Sequence, residues 1–98
     1  MKIFNKKIID DFARKHADSL RALQRWIEIM ENAECKNLNE LKQIFPHADN
    51  VGNSRIVFNI KGNRYRLIAV IVFIDGFAMV RYCGTHADYD KIRNIENI

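Results

Sequence analysis

Cysteine, proline and long apolar runs are all scarce in this chain of 98 residues. The two cysteines, Cys35 and Cys83, lie far apart and form no CxxC pair, and His16, His47 and His86 show no HxxxH spacing. Neither a disulfide scaffold nor a structural zinc site is therefore expected. Neither is needed, because a domain of this length buries roughly 60 to 65% of its unfolded-chain surface and holds a modest core unaided. The longest apolar run, Leu67 to Ile74, has eight residues, less than half of a membrane-spanning helix. In the N-terminal segment MKIFNKKIIDDF, Asp10 and Asp11 interrupt before any apolar stretch long enough for a secretory signal. A reducing cytoplasm is the expected compartment, with no membrane partner. No glycine-rich phosphate loop occurs, and no cofactor or metal is expected.

What is present is a lopsided charge. Residues 1–54 hold nine Lys/Arg against eight Asp/Glu, and residues 87–98 hold two against three. Residues 55–86 hold Arg55, Lys61, Arg64, Arg66 and Arg81 against Asp75 alone. Four of those five cations are arginine, the side chain whose planar fork suits bidentate phosphate contacts. The surplus points to an anionic partner.

The apolar spacing changes period halfway along. Ile8, Ile9, Phe12, Ala13 and His16, and then Leu20, Leu23, Trp26, Ile27 and Met30, recur at helical steps, with Asp18 or Ser19 available as a cap between the two helices. Asn37 and Glu40 have capping-box spacing ahead of Leu38, Leu41, Ile44 and Phe45, and Pro46 ends that third helix. His47 to Ser54 reads as a polar loop. Arg55 to Ile60, Arg64 to Ile74 and Phe77 to Cys83 read as strands parted by Lys61-Gly62-Asn63 and Asp75-Gly76. The expectation is one α+β domain over 1–98: a helical part at 1–46 packed on one face of a small antiparallel meander at 55–86, then a short C-terminal helix or tail at 87–98.

Turn lengths give a register. A two-residue Asp75-Gly76 turn sets Ile74 opposite Phe77, Val70 opposite Arg81 and Arg66 opposite Thr85. Arg66, Ile68, Val70, Arg81 and Cys83 then share one face. Tyr65, Leu67, Ala69, Ile71, Phe73, Ala78, Val80 and Tyr82 share the other, the natural seat for the helices. A two-residue Gly62-Asn63 turn adds Arg55, Asn59 and Lys61 to the arginine side, giving an open, basic, partly polar surface.

Two motifs carry chemistry. Lys61-Gly62-Asn63-Arg64-Tyr65-Arg66 is either a hairpin presenting cations to phosphates, with Arg66 on a central strand, or a turn flanked by solvated charges. Thr85-His86-Ala87-Asp88-Tyr89-Asp90-Lys91 places His86 and Tyr89 three apart, on one face of a helical turn. An imidazole, a phenol and a nearby arginine suffice to cut RNA without metal: the 2′-hydroxyl loses a proton, cations hold the phosphorane, and the leaving 5′-oxygen gains a proton. Equally, Thr85 caps a terminal helix and His86 and Tyr89 pack on the sheet edge. Trp26 and Cys83 read as packing residues.

Together, the run Asn59-Ile60-Lys61-Gly62-Asn63-Arg64-Tyr65-Arg66-Leu67-Ile68, the Thr85 to Lys91 segment and the helix order around Leu38 to Pro46 resemble the HigB branch of type II toxin–antitoxin toxins. The resemblance implies a RelE-like fold and a ribosome-dependent mRNA interferase, an endoribonuclease that cleaves translated messenger RNA. It also implies neutralisation by a HigA-type helix-turn-helix antitoxin, which would carry any operator DNA contacts. By motif position, Arg66 matches the strand arginine that steadies the transition-state phosphate, His86 falls near a catalytic cation or base, and Tyr89 near an aromatic that orients the RNA. Arg55, Lys61, Asn63, Arg64, Arg81 and Lys91 are the expected RNA contacts. Val57 and Asn59 stand where the RelE prototype has lysines, which leaves the general base open. The antitoxin is expected on the helical half or at the edge of the meander. A non-catalytic module that binds RNA or the ribosome through the same face, and an interaction protein with ordinary surface charge, stay open beside the nuclease.

Overall fold

The apolar stripes become helices where their spacing places them. In the computed structural model, which describes residues 1–98, strand β1 (Lys2–Phe4) precedes helix α1 (Lys6–Lys15), a 3-10 turn at Ala17–Ser19, α2 (Leu20–Asn32) and α3 (Leu38–Ile44). Four strands follow, β2 (Asp49–Gly52), β3 (Arg55–Ile60), β4 (Tyr65–Val72) and β5 (Phe77–Thr85), and then α4 (His86–Asp90) and a 3-10 turn at Ile95–Asn97. Ile9 and Ala13 of α1 and Leu23, Trp26 and Met30 of α2 are the residues those helices bury. Asn37 caps α3 as its spacing predicts: the side-chain oxygen accepts from the Glu40 amide at 2.9 Å.

The sheet has five strands in the order β1-β5-β4-β3-β2. The β3–β4 register is the one the Gly62-Asn63 turn sets, with Asn59 opposite Arg66. Elsewhere the structure corrects the sequence reading. Residues Lys2–Phe4 form a strand parallel to β5, and Asp49–Gly52, read as loop, pair antiparallel with β3, so the sheet is mixed and wider than a three-stranded meander. In the β4–β5 hairpin Val72, not Ile74, faces Phe77, because Phe73 to Gly76 form the turn, closed by Gly76 N–H donating to Phe73 O at 3.2 Å. Gly76 takes φ +67° there, a conformation that glycine adopts without strain.

A bulge then shifts the ladder by one residue: Ala69 faces Val80 but Ile68 faces Tyr82. Arg81 is the extra residue, just beyond the point where β1, pairing only with Phe77 to Met79, leaves the β5 edge. From the bulge onward the two faces exchange. Tyr82 joins Ile68 and Arg66, while Cys83 pairs with Leu67 and packs against the core.

Nineteen buried residues from β1, the first three helices, β3, β4, β5 and their connections form one cluster between helices and sheet. Trp26 and Phe45 meet Phe58 edge to face at its centre, with ring centroids 5.3 and 5.1 Å away. The second face is not open. Val57 and Ile68 are 3% and 0% exposed outside that cluster. The C-terminal segment is drawn over this face: Arg55 Nη2 and Arg81 Nε donate to the main-chain oxygen of Ile98 at 3.0 and 3.2 Å, and Asn53 Nδ2 donates to Glu96 O at 3.1 Å. No helix is long and apolar enough to cross a membrane.

Candidate functional site

Arg66 projects from the central strand β4 onto the second face, between Asn59 on β3 and Gly84 on β5. It is only 9% exposed. Its Nη1 donates to the main-chain oxygens of Asn63 at 3.1 Å and Tyr65 at 3.4 Å, so the hairpin's own carbonyls aim the guanidinium. The ring of Tyr89 lies against it, 5.6 Å from guanidinium carbon to centroid. No carboxylate comes within ion-pair distance of Arg66. A nearly buried cation normally carries a partner, because leaving water unpaired is unfavourable. Held by neutral dipoles and covered by an aromatic face, this one is poised to take an anion.

Helix α4 brings the other two candidates. Thr85 Oγ1 accepts from the Asp88 amide at 3.1 Å and starts the helix, while the His86 amide donates to Arg64 O at 3.2 Å and ties that start to the β4 edge. His86 and Asp90 lie four apart on one side, and His86 Nδ1 sits 2.9 Å from Asp90 Oδ2. With Nδ1 occupied, Nε2 is the ring nitrogen left to exchange a proton. Burial, and next the charge of Asp49, hold the Tyr89 phenol above its ordinary pKa, opposed by Arg66. Tyr89 is therefore neutral at physiological pH and available as a donor or stacking surface. Tyr82, brought to this face by the bulge, is also raised, first by burial and then by Asp88.

The remaining expected contacts do not converge on Arg66. Lys61 Nζ and Arg64 Nη1 bond Asp18 Oδ2 at 3.2 and 2.8 Å, and the Tyr65 hydroxyl donates to Asp18 Oδ1 at 2.6 Å. Those donors, the Tyr65 hydroxyl foremost, hold the Asp18 carboxyl down at about 2. Lys61 and Arg64 thus fasten the hairpin to the turn ahead of α2. Asn63 contributes its carbonyl to Arg66, and Arg55 and Arg81 hold the C-terminal segment. Lys91, past the end of α4, lines a groove with Lys15 and His16 of the α1 end and with Asp88. No three His, Cys, Asp or Glu side chains converge as a metal-binding group.

Sequence reasoning missed Asp18, Asp90 and Tyr82. The His86–Asp90 spacing of four was visible as a helical pair; the Asp18 hub joins residues more than 40 positions apart, and no local pattern announces it.

Arg66 and Tyr89 are thus brought together as an aimed cation beside a neutral phenol, and His86 stands three residues before Tyr89 at the start of the same short helix with one ring nitrogen free; groups of these kinds can hold a phosphate diester and move protons around it. Residues 19–92 match the family model HigB_toxin, described as the RelE-like toxic component of a toxin-antitoxin system. The chain is 30% identical over 94 residues, 94% of its length and 91% of the relative's, to mRNA interferase HigB of Escherichia coli O6:H1. It is 28% identical over 92 residues, 92% of its length and 88% of theirs, to mRNA interferase toxin HigB of Escherichia coli K12 and mRNA interferase HigB of Shigella flexneri.

Proposed function

The chain belongs to the HigB toxin family, whose members have a RelE-like fold, and from that premise we propose that it is an endoribonuclease that cleaves messenger RNA on the translating ribosome. The reaction is attack of a ribose 2′-hydroxyl on the adjacent phosphate. The new bond is 2′-O to phosphorus, the bond to the 5′-oxygen breaks, and a 2′,3′-cyclic phosphate and a 5′-hydroxyl result. Arg66 stands against the phosphate oxygens and stabilises the extra charge of the phosphorane. One preorganised donor of this kind is worth roughly 10²- to 10³-fold in rate. His86 exchanges the protons through Nε2, and Tyr89, kept neutral, presents its ring and hydroxyl to the nucleotide beside the cut.

The observation that carries this reading is Arg66 itself: a residue 9% exposed, with Nη1 held by two carbonyls and no acid paired with its guanidinium. A cation placed only for stability would be paired or solvated. Few groups are needed because the ribosome aligns the substrate, and positioning alone lowers a barrier substantially. The exposed Lys91 adds a phosphate contact outside the centre. Arg55 and Arg81 reach RNA by exchanging the Ile98 main-chain oxygen for a phosphate oxygen. The neutralising partner is a HigA-type helix-turn-helix antitoxin that carries any operator DNA contacts, and both partners act in the cytoplasm.

The test is to induce the chain in a bacterium lacking the antitoxin, beside Arg66→Ala and His86→Ala, and to map messenger RNA 5′ ends on a reporter that is translated or left untranslated. Cuts confined to the translated reporter and lost in both variants are expected. Growth arrest without new ends would instead identify a module that blocks translation by binding RNA or the ribosome.

A further inference from the structure

Strand β2 pairs with Arg55, Ile56 and Val57 and goes no further, so the rest of β3, Phe58 to Ile60, has no strand on its outer side. Two hollows of about 250 and 310 Å³ border that bare edge and share Phe45, Asn59 and Gly62. Ile44, Pro46 and His47 wall the first; Arg25, Trp26 and Lys61 wall the second. The combined lining includes two permanent cations, Arg25 and Lys61, and no carboxylate. Trp26, one of the residues lining the second hollow, carries the only buried side-chain nitrogen or oxygen of the protein without a hydrogen-bond partner, Nε1. Each feature asks for something different. An unpaired edge takes a strand through main-chain hydrogen bonds, apolar hollows beside it take alternate side chains, and cations without acids select carboxylates.

We propose that this groove is where the antitoxin docks, through an extended acidic segment that adds as a strand beside Phe58 to Ile60. Its apolar side chains enter the two hollows and its carboxylates meet Arg25 and Lys61. Lys61 can turn to such a carboxylate while Asp18 keeps Arg64 and Tyr65. The Lys61–Arg64 hairpin that ends this edge also supplies the Asn63 carbonyl to Arg66, so the occupant sits behind the phosphate-binding residue and leaves the Tyr89 side uncovered. The groove suits peptide better than RNA, because a bare strand edge offers main-chain partners to another main chain. The inference rests on the chain being the toxic half of a toxin–antitoxin pair.

The probe is the antitoxin encoded with the chain, purified on its own. Arg25→Glu combined with Ile44→Glu alters two exposed residues, Ile44 being 43% exposed, and is expected to leave the unfolding midpoint within error of the parent. The antitoxin should bind the double variant at least 100-fold more weakly by calorimetry. In the unaltered complex, amide exchange at residues 58–61 should slow and the Trp26 indole N–H resonance should shift. Undiminished affinity for the double variant, or protection found elsewhere and not at 58–61, overturns the proposal. A double variant that keeps the antitoxin but loses RNA or ribosome binding overturns it too and gives the groove to RNA. Because binding and exchange are read without any cleavage assay, a chain that docks its antitoxin here yet cuts no RNA would sink the nuclease reading and leave this one standing.

Discussion

Gly84 is the residue on which the bulged register is easiest to test. A methyl group there would lie 2.5 Å from Cζ and 2.9 Å from Cε2 of Tyr82, and closer still to the hydroxyl oxygen. Carbon–carbon contacts settle at about 3.5–4 Å, so Gly84→Ala forces the ring aside by roughly 1 Å. Overpacking of this kind costs about 1–3 kcal/mol. Gly84 lies outside the left-handed region, so alanine also restricts the unfolded chain and returns about 0.5–1 kcal/mol. The net expectation is a loss of about 1–2 kcal/mol, which in a domain of this size lowers Tm by about 4–8 °C for each kcal/mol. In a Tyr82→Ala background the obstacle is gone, and Gly84→Ala becomes neutral or slightly stabilising. Urea unfolding of the four proteins of the cycle should show a coupling of about 1–3 kcal/mol. Equal effects of Gly84→Ala in both backgrounds would mean that Tyr82 does not cross Gly84 and that the face exchange after Arg81 is wrong.

Three further perturbations follow from the geometry. Asp18 is depressed from 3.8 to about 2, so its contribution to stability is fully present above pH 4 and fades as the pH falls towards 2; Asp18→Asn should flatten that part of the urea midpoint against pH curve, and parallel curves would disprove the hub. Burial pushes the Cys83 thiol from 9.0 to about 12, so at pH 8 its thiolate fraction is roughly a thousandth of a free cysteine's; a disulfide reagent should label it slowly in the native protein and quickly in urea, and fast native labelling would contradict its place against the core. Phe58, 1% exposed between Trp26 and Phe45, should lose about 3–5 kcal/mol on Phe58→Ala, and a loss under about 1 kcal/mol in chemical denaturation would contradict the core packing.

The parts of this fold that were legible in the sequence are those fixed by neighbours along the chain. The stripe from Leu23 to Met30, the Asn37–Glu40 capping pair and the β3–β4 register all follow from spacing over a few residues. What was not legible is set by distant partners. Lys2–Phe4 is too short to show a period and becomes a strand only by pairing with β5. The polar Asp49–Gly52 is a strand because Arg55 to Val57 offer it an edge. One inserted residue, Arg81, leaves no mark in a run of strand-forming side chains, yet it exchanges the faces of Tyr82 and Cys83. The covering of the basic face did leave a trace: Ile92, Ile95 and Ile98 recur every third residue, and all three are half-buried. At the site, the motif resemblance singled out Arg66, His86 and Tyr89. Charge counting overstated the open cations, because Lys61, Arg64, Arg55 and Arg81 already have partners within the protein.

If Arg66 is kept nearly buried and unpaired for an anion rather than for the fold, removing its charge should cost activity and not stability. Arg66→Met keeps most of the aliphatic stem and removes only the charged head. Purified protein added to ribosomes programmed with a short messenger, followed in single turnover beside a urea titration, reads both consequences at once. Cleavage should slow by at least about 100-fold with stability unchanged or raised, since a desolvated cation has been removed. Cleavage at the parent rate, with stability lowered by several kcal/mol, would instead show Arg66 to be a structural residue.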